Sequence, residues 1–324
     1  MKKTMIALAA IAAVGAASAQ VSITGEAAWG FHASTSGAGV SASGLGIDTA
    51  QLKFSAKEDL GNGMSVSAGL SLNTGNHSAG TSSDDQSITL STPMAAVSLL
   101  TYKPGDWVSG ASGAATWYGL DGKALSARST RDAIAVTLPL ATGLSLTAAY
   151  LEPGNSLGEG AGSSGSTGQS VYNLGVKYAT GPATLQAAFL QYTNVDGTLD
   201  TSANTVTRLG GKVDLGVATV GAGLQIIKTG AGGTNTQSAL SVSAPLVGGL
   251  SAQAVYAANN TDYASTSSVA ALNGRRTGYM LGLQYNLSKR TYAILNSGSW
   301  RGIGTSAIDA QDSSMYAMTL VHDF

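Results

Sequence analysis

Runs of about ten residues in which apolar side chains take every second position recur along this chain. Met64, Val66, Ala68, Leu70 and Leu72 alternate with Ser65, Ser67, Gly69, Ser71 and Asn73. Leu144, Leu146, Ala148 and Tyr150 alternate with Ser145, Thr147 and Ala149, and Tyr279, Leu281, Leu283, Tyr285 and Leu287 with Met280, Gly282, Gln284 and Asn286. A period of two puts successive side chains on opposite faces of a strand, so each run is a strand with one apolar face.

Sixteen such strands are predicted, near 21-31, 48-59, 63-74, 84-91, 94-102, 130-138, 143-152, 170-179, 182-193, 204-215, 217-228, 236-245, 249-259, 276-287, 289-298 and 314-324. Short turns such as Leu60-Gly61-Asn62, Thr92-Pro93 and Thr180-Gly181 alternate strictly with long Gly, Ser and Thr segments at 32-47, 103-129, 153-169, 260-275 and 299-313. A soluble β-sandwich shares the period but does not explain why every second connection is tight. A barrel crossing a bilayer does, because one rim carries turns and the other carries loops. Its closure also pairs every backbone N–H and C=O, which hydrocarbon requires. The expected fold is therefore all-β: a 16-stranded antiparallel transmembrane β-barrel with short periplasmic turns and long external loops. Aromatic residues near strand ends, including Trp29, Phe31, Tyr102, Tyr178, Tyr192, Tyr256, Tyr285, Tyr292 and Tyr316, suit interfacial girdles.

Composition agrees with a wall that meets lipid. Charged residues make up 11% of the 324, against roughly 25% in ordinary soluble domains. The absence of cysteine excludes a disulfide scaffold and a thiolate metal site. Seventeen Lys and Arg against 18 Asp and Glu, with no basic block, exclude a nucleic-acid binder. At the start, Lys2 and Lys3 precede an apolar run from Met5 to Ala17 and the small-residue site Ala17-Ser18-Ala19, which together read as a signal peptide over 1–19. The remaining 20–324 forms one barrel domain, and without Lys2 and Lys3 it has 15 basic against 18 acidic side chains, net −3.

Several segments resemble the trimeric general porins of Gram-negative outer membranes. Val21-Ser22-Ile23-Thr24-Gly25 is similar to the first porin strand, Glu58-Asp59-Leu60-Gly61-Asn62-Gly63 to the first periplasmic turn, and Leu287-Ser288-Lys289-Arg290-Thr291 to the turn before the penultimate strand. Tyr316, Met318, Leu320 and Phe324 on one parity resemble the C-terminal signal read by the barrel-assembly machinery. The resemblance implies an outer-membrane homotrimer surrounded by lipid, with a water-filled channel in each subunit for passive diffusion of small hydrophilic solutes and ions, and no cofactor. It also implies a third external loop folded inward, here 103–129, with its acids drawn from Asp106 and Asp121. The family's Pro-Glu-Phe-Gly-Gly-like segment is absent there, replaced by Ser109-Gly110-Ala111-Ser112-Gly113, and the fifth strand ends in Thr101 and Tyr102 where relatives carry an arginine.

Strand parity identifies lumen residues without the family. A charge on the lipid face near the midplane costs about 2–4 kcal/mol, so charged residues opposite the apolar parity face water. That rule places Lys53, Lys57, Arg131, Lys177, Arg208, Lys212 and Arg276 inward, with Glu26, Asp85 and Asp214. Lys53 and Arg131, facing Asp106 and Asp121, are expected to set a transverse field at the narrowest point. The excess of inward bases predicts an anion preference, and the scarcity of charge predicts that it is mild.

Other motifs carry no chemistry. Gly160-Ala161-Gly162-Ser163-Ser164-Gly165 matches a dinucleotide fingerprint without a βα unit around it, and Asn194, Asp196 and Asp200 lack calcium-loop spacing. His32, His77 and His322 have no partnered nucleophile at a telling spacing, so no enzyme and no metal site are expected. The alternative function is a barrel acting mainly as a surface-binding or adhesive protein, although its loops have few of the aromatic or arginine anchors that dominate binding hot spots.

Overall fold

The computed structural model describes residues 20–73, 82–103, 118–126, 129–153, 169–193, 203–263, 273–301 and 312–324. Sixteen strands follow one another: β1 (Gln20–Thr35), β2 (Ser41–Gly61), β3 (Met64–Asn73), β4 (Ser82–Ser91), β5 (Ala96–Tyr102), β6 (Arg131–Ala141), β7 (Leu144–Pro153) and β8 (Val171–Thr180) make the first half. β9 (Ala183–Tyr192), β10 (Ala203–Asp214), β11 (Thr219–Thr229), β12 (Thr234–Pro245), β13 (Leu250–Asp262), β14 (Gly274–Asn286), β15 (Thr291–Arg301) and β16 (Asp312–Asp323) make the second. Each strand pairs antiparallel with its sequence neighbours, and β1 pairs with β16 to close the barrel.

Exposure follows the alternation. In β16, Tyr316, Met318 and Leu320 are 60%, 59% and 52% exposed on the outside, while Met315, Ala317, Thr319 and Val321 between them are buried. Leu281, Leu283 and Leu295 share that outer face. Closure is finished by the last residue: Gly25 N–H donates to the Phe324 carbonyl at 2.9 Å and Phe324 N–H returns the bond to Gly25 at 3.0 Å. The Phe324 ring lies where a side chain on residue 25 would stand, so only glycine fits.

Two expectations fail at the external rim. The predicted loop 32–47 is almost entirely strand, because β1 and β2 continue to Thr35 and Ser41 and leave only 36–40 as a turn. β11 and β12 are likewise joined by only 230–233. Strict alternation of short and long connections therefore does not hold. The predicted girdle is also smaller, because Tyr102, Tyr192 and Tyr292 pack on the inner wall, against residues such as Val206 and Ile294.

Candidate functional site

A segment of the connection between β5 and β6, residues 118–126, lies inside the barrel. Leu120, Ala124 and Leu125 are 0%, 0% and 1% exposed and pack against Ala239, Val255, Ala257, Met280, Met315 and Ala317, which point inward from β12 to β16. Burial of these apolar surfaces holds the segment to one wall. Gly278 lets it approach closely, since a Cβ there would stand 3.0 Å from the Cβ of Ala124.

Polar contacts fix the two ends of the segment. Tyr118 Oη donates to Asp48 Oδ1 at 2.7 Å, and its ring lies 5.9 Å from that of His32. Ser126 N–H donates to Gln237 Oε1 at 3.2 Å. Between them Lys123 Nζ sits 5.5 Å from the centre of the Trp300 ring, a cation–π contact, and donates to the Gly119 carbonyl at 2.9 Å. Burial lowers the Lys123 pKa from its ordinary value, with neighbouring Asp121 opposing the shift. Burial and the bond to Asp48 push Tyr118 up to about 12, with Thr319 opposing.

Asp48 is a site residue that the alternation does not reveal. Ala28 pairs with Thr49 and Trp29 with Ile47, so Asp48 is the extra residue of a β-bulge, and a bulge re-aims side chains. Met280 carries a legible signal: an apolar side chain on the lumen parity needs something to cover it.

The strand residues form two charged walls. Glu26 on β1 stands directly opposite Asp323 on β16, and Asp48 and Lys53 both act on it electrostatically. Lys53 is exposed to the lumen beside Thr24 and Ser71, on the opposite parity to Leu52 and Phe54. Across the barrel, Tyr102 is the direct partner of Arg131 and also feels the charges of Arg208 and Asp85. Arg208 reaches this group from β10 and is held by Nε donating to Gln225 Oε1 at 2.7 Å. Arg276 is buried on β14, with Nη1 donating to Thr261 Oγ1 at 3.2 Å. Lys177 pairs with Ser145 and Gln186, and Lys212 with Thr184 and Gly221, both on the lumen parity.

Of the residues expected at the narrowest point, Lys53 stands on β2, Arg131 on β6 and Asp121 on the docked segment. Lys53 lies among Glu26, Asp48 and Asp323, whereas Asp121 is beside Lys123 of its own segment. Asp106, the signal segment 1–19, the glycine motif at 160–165, His77 and Asn194, Asp196 and Asp200 lie outside the described residues. Among the described residues, no group of three or more His, Cys, Asp or Glu is placed to hold a metal ion.

A family model described as Gram-negative porin matches residues 6–298. The chain belongs to the Gram-negative porin family. It is an outer-membrane channel for passive diffusion. No curated protein matches it by sequence. Among solved structures, the porin is similar to the anion-selective porin from Comamonas acidovorans, with 20% identity, 95% of this chain and 100% of that one covered, and a TM-score of 0.71. It also resembles OmpT of Vibrio cholerae in its trimer form, at 12% identity, 95% and 100% coverage and a TM-score of 0.70. A variant of the Rh. blastica porin superposes at 17% identity, 94% and 100% coverage and a TM-score of 0.64. At these identities the likeness is one of fold.

Proposed function

We propose that this porin passes small hydrophilic solutes and ions through a lumen polarised from wall to wall, with a mild preference for anions. The observation that carries the reading is the separation of charge around the ring: Glu26, Asp48 and Asp323 on β1, β2 and β16, and Arg131 and Arg208 on β6 and β10. In a ring of sixteen strands these groups lie on opposing sides. A polar solute aligns its dipole between such walls, while an apolar one gives up ordered water without return. Segment 118–126 narrows the space between them.

Anion preference follows from the excess of bases on the lumen parity of the strands, where Lys53, Lys57, Arg131, Lys177, Arg208, Lys212 and Arg276 outnumber Glu26, Asp48, Asp85, Asp214 and Asp323. On the acidic wall, Lys53 partly cancels Glu26, Asp48 and Asp323, whereas two arginines outweigh Asp85 on the basic wall. The anion-selective relative from Comamonas acidovorans supports this sign. Export through cleavage after Ala19, insertion by the barrel-assembly machinery through Tyr316, Met318, Leu320 and Phe324, and assembly as a homotrimer complete the proposal. The trimer form of OmpT supports the last of these. Reversal potential in a planar bilayer under a salt gradient tests the selectivity, and a cation-selective value overturns it.

A further inference from the structure

The periplasmic turn between β2 and β3 places three successive residues in the left-handed region, with φ of 79° at Gly61, 53° at Asn62 and 75° at Gly63. Asn62 is the one non-glycine residue with positive φ among the described residues. After glycine, asparagine visits this region at least cost, so the turn geometry selects Gly-Asn-Gly. Position 63 is fixed from outside as well, since a Cβ there would stand 3.1 Å from Cγ of Pro93 in the next periplasmic turn. Backbone and packing together therefore hold an Asn-Gly step at a tip where all three residues are exposed to water.

That step is chemically reactive. The side-chain carbonyl carbon of Asn62 precedes a backbone nitrogen whose own residue has no Cβ to shield it. Among the described residues, neither the Asn62 amide nor the Gly63 N–H is held in a hydrogen bond, whereas Gly61 N–H donates to Asp59 Oδ1 at 2.8 Å and anchors the turn just before them. Asn-Gly occurs twice in the chain, and Asn273-Gly274 is the opposite case. Asn273 Oδ1 accepts from the Tyr263 N–H at 2.6 Å, and Nδ2 donates to the Tyr263 carbonyl at 3.0 Å. Its amide is clamped through both polar atoms, and ring closure there would break both bonds.

We propose that Asn62 is a modification site, at which the folded porin deamidates spontaneously through a succinimide. The Gly63 nitrogen, after giving its proton to hydroxide, attacks Asn62 Cγ. The Cγ–Nδ2 bond breaks, Nδ2 leaves as ammonia, and the ring is closed. Water then opens it at either carbonyl. Cleavage between Cγ and the Gly63 nitrogen leaves an ordinary chain with aspartate at 62. Cleavage between the residue-62 backbone carbonyl carbon and that nitrogen leaves isoaspartate, whose main chain runs through Cβ and Cγ. The sum is amide plus water giving carboxylate plus ammonium, with no change of oxidation state. Either product adds a negative charge beside Glu58 and Asp59 at the periplasmic mouth, and the iso form adds a carbon to the main chain of a tight turn.

The test follows the full mature protein, folded in phosphatidylcholine vesicles, through incubation at mildly alkaline pH, with peptide mapping by mass spectrometry. Position 62 is expected to gain the acid. Asn273 is expected to convert about thirtyfold more slowly, the factor for two hydrogen bonds of about 1 kcal/mol each. In the heat-unfolded chain the clamp on Asn273 is gone, and the two positions are expected to convert at similar rates. Methyl transfer by an isoaspartate-specific carboxyl methyltransferase is expected to label the peptide that contains residue 62. Asn62→Gly keeps the left-handed turn without an amide, and it is expected to fold and to lose that label. A folded protein that keeps the Asn62 amide while the unfolded chain loses it overturns the proposal, because the turn then protects the step. So does equal conversion at 62 and 273 in the folded state, or a label that survives Asn62→Gly.

Discussion

Tyr118 donates a 2.7 Å hydrogen bond to Asp48, joining a segment inside the barrel to the bulge in its wall. The bond ties the position of the segment to the protonation of one phenol. Tyr118 titrates at about 12 in the folded protein against an ordinary value of 10.0, so its contribution to docking is complete below pH 10. It is lost as the pH rises from 10 through about 12, because the phenolate cannot donate and repels Asp48. Open-channel noise in a planar bilayer is expected to rise over that window in wild type. In Tyr118→Phe the noise is already raised at neutral pH, by loss of about 1 kcal/mol, and does not change with pH.

The apolar half of the contact is expected to outweigh the polar half. Leu120 and Leu125 are buried against the β12 to β16 wall, and truncating a buried leucine to alanine costs about 2–5 kcal/mol. Because that energy belongs to the docked segment, Leu125→Ala is expected to increase conductance and its fluctuations while leaving thermal unfolding of the barrel unchanged. A lower unfolding temperature with unchanged conductance would show that the segment supports the wall without narrowing the lumen.

Barrel closure rests on Gly25 and Phe324, which exchange two backbone hydrogen bonds beneath the Phe324 ring. Gly25→Val is expected to displace the ring and hinder closure, so that less protein reaches the heat-modifiable, folded form on gels. Phe324→Ala keeps the backbone bonds but removes the outward ring, and it is expected to slow insertion while leaving the conductance of the molecules that do insert unchanged.

Strand identity and facing were legible because lipid on one side and water on the other impose a period of two. That logic assigns Lys53, Arg131, Lys177, Arg208, Lys212 and Arg276 to the lumen parity. It breaks down where that contrast is lost. The rim hairpin of β1 and β2 is rich in small and polar residues, among them Ser34, Thr35, Ser41, Gly44 and Gly46, and it alternates too weakly to read as strand. Asp48 was hidden because a bulge shifts the parity, and the grouping of Lys53 with Glu26 and Asp323 depends on the join between the two chain ends. The docked segment left one trace, the apolar lumen-facing run of Val255, Ala257, Met280 and Met315.

The opposed charged walls are tested most directly by the reversal potential of Arg131→Gln/Arg208→Gln beside that of Lys53→Gln in a salt gradient. The arginine pair carries the basic wall, whereas Lys53 is countered by Glu26, Asp48 and Asp323. Wild type is predicted to be mildly anion-selective, the double arginine variant to shift to cation selectivity, and Lys53→Gln to shift less in the same direction. An unchanged reversal potential in the double arginine variant would contradict the account.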